Sequence, residues 1–252
     1  MTDYDTLALV YDWLVHPADL LVPQGSAEAF DGLVDLRAGA RVLDCACGTG
    51  HLAVGLAQRG REVVATEASA AMIDRTRTLA ADHGAPLTAH VCAWENLAER
   101  DWSGSFDAVF CVGNSLVHAP GADARRRALT AMRDVLRAGG TVVVTSRNWE
   151  QVRAAGSQLE VAQQLVSRDG VLGLPIYAWS IAEDWDEPHH FDVAVALLAE
   201  DGTVTTHAER MAFWPFDHET LRADLRAAGL TPATTTYDDE LPRYAVVARR
   251  AP

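Results

Sequence analysis

The segment Arg41-Val42-Leu43-Asp44-Cys45-Ala46-Cys47-Gly48-Thr49-Gly50 places a short apolar strand directly before a glycine loop. The apolar residues within 51–59 predict a helix after the loop. Beyond this helix a second apolar run, 62–66, ends on an acid, Glu67. This order of strand, glycine loop, helix, strand and acid is typical of a nucleotide-type pocket at the carboxyl ends of parallel strands.

Alternating strand and helix signals continue from this segment to residue 147. The strands are rich in valine and apolar on both faces, which is typical of a parallel sheet covered on both sides. Ser69 is a candidate N-cap, Gly84 ends the second helix, and Ala138-Gly139-Gly140 ends the helix that begins near residue 122. We expect strands at 41–46, 62–67, 87–92, 106–112 and 140–146, helices at 51–59, 69–82 and 122–137, and a short helix near 95–100.

The pattern differs on either side of this region. Residues 1–36 have a helical pattern that Pro17 and Pro23 divide, and 149–170 are predicted to be helical with a turn at Asp169-Gly170. Later segments alternate in polarity, which predicts a small antiparallel sheet with a hairpin turn at 200–202. These strands are expected at 177–185, 189–199 and 203–214, followed by a helix at 217–228 and strands at 231–237 and 243–249.

Composition excludes several classes of partner and chemistry. A net charge of −14 argues against nucleic acids and anionic membrane surfaces. The 21 basic residues are all arginine, so lysine chemistry such as Schiff-base formation is excluded. No apolar run approaches a membrane span, no basic signal-peptide region begins the chain, and the four cysteines lack C-x-x-C spacing. We therefore expect a cytoplasmic protein without a metal site; a homo-oligomer stays open.

The glycine loop also fits a dinucleotide fingerprint, Gly48-x-Gly50-x-x-Ala53, so a dehydrogenase has to be weighed. Asp44 and Glu67 argue against it, because a carboxylate ~4 Å from a pyrophosphate is repelled by roughly 1 to 4 kcal/mol. S-adenosylmethionine (SAM) has no phosphate and carries an ammonium and a sulfonium, which favour acids at these positions. A terminal strand hairpin after a helix also suits a methyltransferase sheet better.

Residues 42–50 resemble the first motif of class I SAM-dependent methyltransferases. Together with 106–118, which contains Gly113-Asn114-Ser115, and with 146–149, they resemble more narrowly the glycine/sarcosine N-methyltransferases. The resemblance implies a Rossmann-like α/β sheet, mostly parallel with an antiparallel last strand, plus a small antiparallel β insertion. It predicts one domain, 1–252, comprising an N-terminal helical lid (1–36), a SAM-binding core (37–147), an inserted helix and sheet (148–215), and a final helix with a strand hairpin (216–252).

The residues expected around the cofactor surround the glycine loop. Gly48 and Gly50 let the backbone approach the ligand without a Cβ in the way, and Glu67 can accept both ribose hydroxyls. Asp44 provides negative charge near the cationic part of SAM. The resemblance adds further candidates, among which Trp94 stacks on the adenine: Ala46, Ala68, Ser69, Met72, Ala93, Trp94, Val112 and Asn114.

The acceptor candidates follow from the same resemblance. Asn114 would orient the acceptor beside the methyl group, and Arg147 would bind an acceptor carboxylate through two parallel hydrogen bonds, or else pair with a neighbouring acid. His118 is a candidate base, or a core histidine. Tyr4 and Tyr11 of the lid and Trp214 are predicted to contact the acceptor. Further aromatic residues suggest an acceptor larger and more apolar than glycine: Trp179, Trp185, Phe213 and Phe216.

These features predict a SAM-dependent methyltransferase that transfers a methyl group to the nitrogen of a small amine or amino-acid-like acceptor. Its main task is alignment of nucleophile, methyl and sulfur, so no strong base is required. Two alternatives stay open. One is O- or C-methylation of a small molecule with His118 as the base, and the other is a SAM-binding regulatory protein without catalysis.

Overall fold

The valine-rich runs form the strands of one seven-stranded sheet, and a second antiparallel sheet follows it in the chain. The computed structural model describes residues 3–14, 21–168 and 170–252, so the predicted break at Pro17 and part of the predicted turn at Asp169 lie outside the described residues. None of the described helices has the length and apolar character needed to cross a membrane.

The described helices are α1 (Asp3–Leu7), α2 (Pro23–Glu28), α3 (His51–Gln58), α4 (Ala70–Asp82), α5 (Gly121–Val135), α6 (Trp149–Ala155) and α7 (His218–Ala227), with 3-10 turns at Tyr11–Trp13, Trp94–Glu99 and Ser115–His118. The strands are β1 (Arg41–Asp44), β2 (Glu62–Glu67), β3 (Leu87–Val91), β4 (Phe106–Cys111), β5 (Leu136–Arg147), β6 (Gln158–Val161), β7 (Val166–Arg168), β8 (Val171–Ser180), β9 (His189–Leu198), β10 (Val204–Phe213), β11 (Leu230–Thr235) and β12 (Arg243–Arg250).

The large sheet has the strand order β3-β2-β1-β4-β5-β12-β11. Its neighbouring strands are parallel except for β12, which runs antiparallel to both β5 and β11. The predicted sheet, mostly parallel with an antiparallel last strand, is therefore confirmed. Because the strand order reverses between β1 and β4, the carboxyl ends of these strands border the crevice in which such sheets bind ligands.

Both faces of the sheet are covered. Leu43 and Val109 pack in one apolar layer together with residues of α5 and α7, whereas Val42 and Phe110 pack in the other layer with residues of α3. All four side chains are fully buried. Consecutive strand residues therefore need apolar side chains, which explains why the strands lack polar alternation.

Two glycines allow the helices to approach each other closely. Gly50 has a φ of 92°, and a Cβ there would lie 2.8 Å from the side chain of Thr76 in α4. At Gly55 a Cβ would lie 1.9 Å from the carbonyl oxygen of Pro23, so α2 rests on the backbone of α3. Pro23 is the first residue of α2 and begins a helix rather than breaking one, in agreement with the preference of proline for that position.

The second sheet has the order β10-β9-β8-β6, with β7 also paired to β8. Its aromatic side chains cover Trp149 of α6, which is fully buried. The ring centroids of Trp179 and Phe213 both lie 5.9 Å from that of Trp149, and Phe191 stacks on Trp179 at 4.0 Å. The predicted antiparallel insertion is present, and it closes over the carboxyl end of β5.

Three local predictions were wrong. The strand expected at 177–185 is β8, which spans Val171–Ser180 because its residues from 171 onward pair with β7 and β9. The helix after residue 149 ends at Gly156, which has a φ of 74°, and residues 158–161 and 166–168 are strands that pair with β8. Nor does Ala138-Gly139-Gly140 end a helix, because α5 ends at Val135 and β5 begins at Leu136. A Cβ on Gly140 would come within 3.1 Å of the Phe106 carbonyl oxygen, where the β4–β5 register shifts. The division of the chain into lid, core, insertion and final hairpin stays a prediction.

A buried ion pair joins α5 to α7. The carboxylate of Asp224, 1% exposed, accepts hydrogen bonds from Arg125 Nε and Arg126 Nε, both at 2.6 Å. We expect Asp224→Asn to lower the free energy of unfolding by about 3 to 5 kcal/mol, because it leaves the buried Arg125 without its counter-charge. Urea unfolding measures this loss.

The matched control is Asp123→Asn. Asp123 pairs with the same Arg126 at 3.7 Å, but its side chain is 86% exposed. An exposed pair contributes less than about 1 kcal/mol, so equal losses in the two variants would contradict the assigned role of Asp224.

Candidate active site

The carboxylate of Glu67 organises the glycine loop. It accepts hydrogen bonds from the backbone N–H groups of Ala68 (2.7 Å), Gly48 (3.2 Å) and Ser69 (3.3 Å). Burial raises the pKa of Glu67, these hydrogen bonds oppose that rise, and the nearby Asp5 adds to it. The loop amide that would face a pyrophosphate in a dinucleotide site is thus already bound to an anion, which argues against phosphate binding here.

Asp44 ends β1 on the other side of the loop and is 1% exposed. Burial raises its pKa to about 7; hydrogen bonding from the backbone of Ala46 opposes this rise, and the charge of Glu67 adds to it. Its Oδ1 atom is buried without a hydrogen-bond partner among the described residues. A buried carboxylate oxygen without a donor is costly, so this position fits a cationic ligand group.

Three adjoining cavities lie along the carboxyl ends of β1, β4 and β5. The largest, about 430 Å³, is bordered by Glu67 and by Trp94, whose indole N–H donates to the Cys45 carbonyl oxygen at 3.0 Å. This hydrogen bond fixes the indole ring at the cavity wall. Other predicted cofactor residues line the same space: Ala46, Gly48, Ala68, Met72 and Ala93.

The second cavity, about 400 Å³, lies on the Asp44 side of the glycine loop. It shares Gly48 with the first cavity and is also bordered by Val112, another predicted cofactor residue. Gly48 has a φ of 52°, and the nearest atom to a Cβ there is Tyr11 Cε1 at 3.9 Å. The loop is therefore open to a ligand at Gly48, beneath the ring of Tyr11.

The third cavity, about 150 Å³, is bordered by Asn114 and Arg147. Asn114 is the only non-glycine residue with a positive φ among the described residues (68°), and its Oδ1 accepts from Arg147 N (3.0 Å) and Trp149 Nε1 (3.2 Å). These two N–H donors identify the side-chain oxygen, so the amide NH₂ is left to face the cavity.

The guanidinium of Arg147 has no carboxylate partner within the described residues. It lies over the ring of Trp179, with Cζ 5.1 Å from the ring centroid. Burial, together with the charge of Arg243, lowers its pKa to about 10. The predicted alternative, an ion pair with a neighbouring acid, is not formed, and the cation is available to a ligand.

His118 and two tyrosines connect the cavities. Tyr4 Oη and His118 Nε2 share a hydrogen bond of 2.9 Å, and both residues border the first and third cavities. Burial lowers the pKa of His118 to about 4, so its imidazole is neutral at neutral pH. Tyr11 borders all three cavities, and burial raises its pKa to about 12.

Some predicted residues lie elsewhere. Gly50 and Ser69 border none of these three cavities: Gly50 packs against Thr76, and Ser69 caps α4 by accepting from Met72 N at 3.2 Å. Ser69 also donates to Asp5 of α1 at 2.5 Å and so ties the N-terminal segment to the loop.

Among the aromatic candidates, Trp214 borders the first cavity, and Trp179 and Phe213 border the third. Trp185 and Phe216 instead pack under Arg153 and Arg125. Further lining residues had no sequence signal, because the pairing of distant strands brings them to the site: Thr145, Tyr177, Thr236, Arg243 and Tyr244.

Comparisons with known proteins agree with this fold. Residues 42–140 match the family described as a methyltransferase domain. The glycine/sarcosine N-methyltransferase of Parasynechococcus marenigrum (strain WH8102) is 37% identical over 120 residues, which cover 47% of this chain and 42% of that protein. The CcbJ methyltransferase from Streptomyces caelestis superposes with a TM-score of 0.78 at 24% identity, with 100% and 99% of the two chains covered. An S-adenosylmethionine-dependent methyltransferase from Clostridium acetobutylicum ATCC 824 has a TM-score of 0.74 at 15% identity, with both chains fully covered.

Residues 42–140 are therefore similar to a methyltransferase domain, and the whole chain has the same fold as these two methyltransferases. In sequence, the more particular similarity is to the glycine/sarcosine N-methyltransferases. The matched region spans less than half the length of these relatives, 42% and 43% for the first two.

The buried Asp44 generates a pH-dependent prediction for the ligand-free protein. Its pKa rises from 3.8 to about 7 on folding, so between these values the folded state binds more protons, and stability falls as pH rises. Asp44→Asn removes this penalty. Relative to wild type, the variant should gain about 4 kcal/mol in free energy of unfolding between about pH 4 and about pH 8.

Urea unfolding across this pH range measures the change. The control is Asp74→Asn, because the Asp74 side chain is 75% exposed. Its free energy of unfolding should differ from that of wild type by an amount that stays constant with pH to within about 1 kcal/mol. If the free energies of unfolding of Asp44→Asn and wild type differ by the same amount at every pH, the raised pKa of Asp44 is contradicted.

Proposed function

We propose that this protein transfers the methyl group of SAM to the nitrogen of a small acceptor that carries a carboxylate. The observation that carries the proposal is the unpaired guanidinium of Arg147 in the third cavity, adjacent to Asn114. Arginine recognises carboxylates through paired N–H donors, and a buried arginine without a counter-charge is unfavourable until such a ligand binds.

The residues around the first two cavities fit SAM. Trp94 and Met72 form an apolar wall suited to the adenine, and the Glu67 carboxylate lies where ribose hydroxyls can donate to it. The unpartnered Oδ1 of Asp44 fits the ammonium of the methionine part. Gly48 leaves room for the ligand between them.

When bound, SAM supplies a methyl group on a positively charged sulfur, which is already a good leaving group. The task left to the protein is to align the acceptor atom with the methyl group. Asn114 is well placed for this because two hydrogen bonds fix its side-chain oxygen, while its amide borders the acceptor cavity. Such alignment accounts for a large part of the barrier reduction in bimolecular transfers.

An acceptor amine has to be neutral when it reacts. The third cavity is bordered by the aromatic rings of Tyr177, Trp179 and Phe213 and lies beneath Tyr4 of the N-terminal segment. Removal of water from an amine disfavours its protonated form, so burial in this cavity lowers the amine's pKa. The fixed positive charge of Arg147 acts in the same direction. A strong base is therefore unnecessary.

The burial of His118 bears on the alternative of O- or C-methylation. A histidine with a pKa of about 4 is a poor base for a hydroxyl or a carbon acid near neutral pH. Its shared hydrogen bond with Tyr4 gives it another role, which is to hold the N-terminal segment over the acceptor cavity. Nitrogen methylation fits this histidine better.

Replacement of Arg147 tests the acceptor class. We expect Arg147→Gln to raise the KM for a carboxylate-bearing acceptor by about 10- to 100-fold, because a charged hydrogen bond contributes about 1.5 to 3 kcal/mol. Turnover is followed as S-adenosylhomocysteine formation with glycine, sarcosine, phenylalanine and the matched amine phenethylamine, which lacks the carboxylate.

The amine without a carboxylate is the internal control, since its KM should not rise in the variant. If Arg147→Gln raises the KM values for phenylalanine and phenethylamine equally, the proposed binding of a carboxylate by Arg147 is refuted. It is also refuted if the wild-type protein prefers an acceptor without a carboxylate, such as an amino sugar. SAM binding without turnover of any acceptor would favour the non-catalytic alternative.

His118→Gln tests the choice of acceptor atom. Glutamine can still form a hydrogen bond with Tyr4 but cannot act as a base. For nitrogen methylation we expect kcat to fall less than about 10-fold, below the 10² to 10⁴ contribution of a general base. A larger loss, with the dissociation constant for SAM unchanged by calorimetry, would favour O- or C-methylation.

A further inference from the structure

The last strand brings a second arginine next to Arg147. In the antiparallel pairing of β12 with β5, Arg243 lies directly opposite Arg147. Residues opposite each other in such a pair project from the same face of the sheet, about 4.5 to 5.5 Å apart at Cβ, and like charges there are destabilising. The fold therefore brings two cations side by side, the partly buried Arg147 and the exposed Arg243.

Among the described residues, these two cations have no counter-charge in direct contact. Neither guanidinium forms an ion pair or a hydrogen bond with a described side chain, and Glu160, the acid whose charge acts on Arg147, lies beyond ion-pair distance. Desolvation lowers the pKa of Arg243, and Tyr11 opposes this fall; the hydroxyl of Tyr11 is itself neutral at neutral pH, because burial raises its pKa to about 12. Both arginines are thus available to anionic ligand groups.

The cavities separate the two arginines. Arg147 borders only the third cavity, in front of Asn114, whereas Arg243 borders both the third cavity and the second, which contains Asp44. In the second cavity, the carboxylate of Asp44, with Oδ1 unpartnered, and the guanidinium of Arg243, without an ion pair among the described residues, border the same 400 Å³ space. An ammonium and a carboxylate on one carbon atom fit this combination of charges.

Few other groups can bind the carboxylate of such a ligand. Residues 1–36, which include much of the wall of the second cavity, contain no lysine or arginine. The other basic side chain of the wall is His51, whose Nδ1 already bonds to Thr49 Oγ1 at 3.1 Å and whose pKa is lowered by burial. Arg243 is the remaining permanent cation at this cavity.

We propose that Arg243 binds the α-carboxylate of the methionine part of SAM, opposite Asp44, which binds its ammonium. Arg147 is then left for the acceptor, so each of the two facing arginines receives one carboxylate. This inference rests on the proposed function, because it assumes that SAM occupies the first two cavities. It adds a cofactor residue from the carboxyl-terminal strand.

The test compares two ligands that differ by one group. SAM and decarboxylated SAM share the adenosine, the sulfonium and the amine, and only SAM has the carboxylate. In calorimetric titrations, Arg243→Gln should raise the dissociation constant for SAM by about 10- to 100-fold and that for decarboxylated SAM by less than about twofold. Arg243→Lys keeps the charge and should recover part of the SAM affinity.

Arg249→Gln is the matched control, since Arg249 lies on the same strand but borders a different cavity at the opposite end of the sheet. It should leave both dissociation constants unchanged. Equal losses for the two ligands in Arg243→Gln, or no loss for either, would overturn the assignment. If wild type fails to bind SAM, the proposed function itself fails.

Thermal unfolding of the ligand-free protein separates a binding role from a packing role. Arg243→Gln removes one of two facing like charges, so its melting temperature should equal or exceed that of wild type. A melting temperature lower than that of Arg249→Gln would indicate that Arg243 supports the fold and would count against the proposal.

Discussion

The site depends on one carboxylate that binds the backbone of its own glycine loop. Glu67, which is partly buried, accepts from three backbone N–H groups, that of Gly48 in the loop after β1 and those of Ala68 and Ser69 after β2. Together with Asp44 it makes the crevice between β1 and β4 negative. A negative crevice excludes diphosphates and favours a cationic ligand, so this single constraint separates the site from the dinucleotide sites that share its glycine spacing.

The N-terminal segment completes the site through both apolar and polar contacts. Leu7 and Val10 are fully buried in the same apolar layer as Leu43. Ser69 donates to Asp5, and Arg75 of α4 binds both the carbonyl oxygen of Ala8 and the carboxylate of Asp12. These contacts place Tyr11 where the three cavities meet and Tyr4 against His118.

The third cavity, proposed to bind the acceptor, is positively charged, in contrast to the negative crevice at Glu67 and Asp44. Tyr177, Trp179 and Phe213 border it, and Arg147 and Arg243 reach it from neighbouring strands. An apolar enclosure strengthens the interaction of a guanidinium with an anion, because less water competes for the charge. The molecule thus combines a negative pocket for a cationic donor with a positive pocket for an anionic acceptor.

The parts of the fold and of the site that depend on residues close together in the sequence were predictable. The strand–loop–helix unit at 41–58, the N-cap at Ser69 and the mostly parallel sheet follow from apolar periodicity and glycine positions. The helix predicted beyond residue 156 was wrong, because short strands such as β6 acquire their conformation from pairing with β8 and carry little signal of their own.

The sequence by itself determined the glycine loop with its two acids and the aromatic and arginine residues available for an acceptor. These depend on local periodicity and residue type, which need no knowledge of distant contacts. Only the tertiary structure decided that Gly50 serves helix packing, that His118 is buried and neutral, and that Arg243 faces Arg147. Those outcomes depend on strand register and burial across about a hundred residues of chain, and no local pattern encodes them.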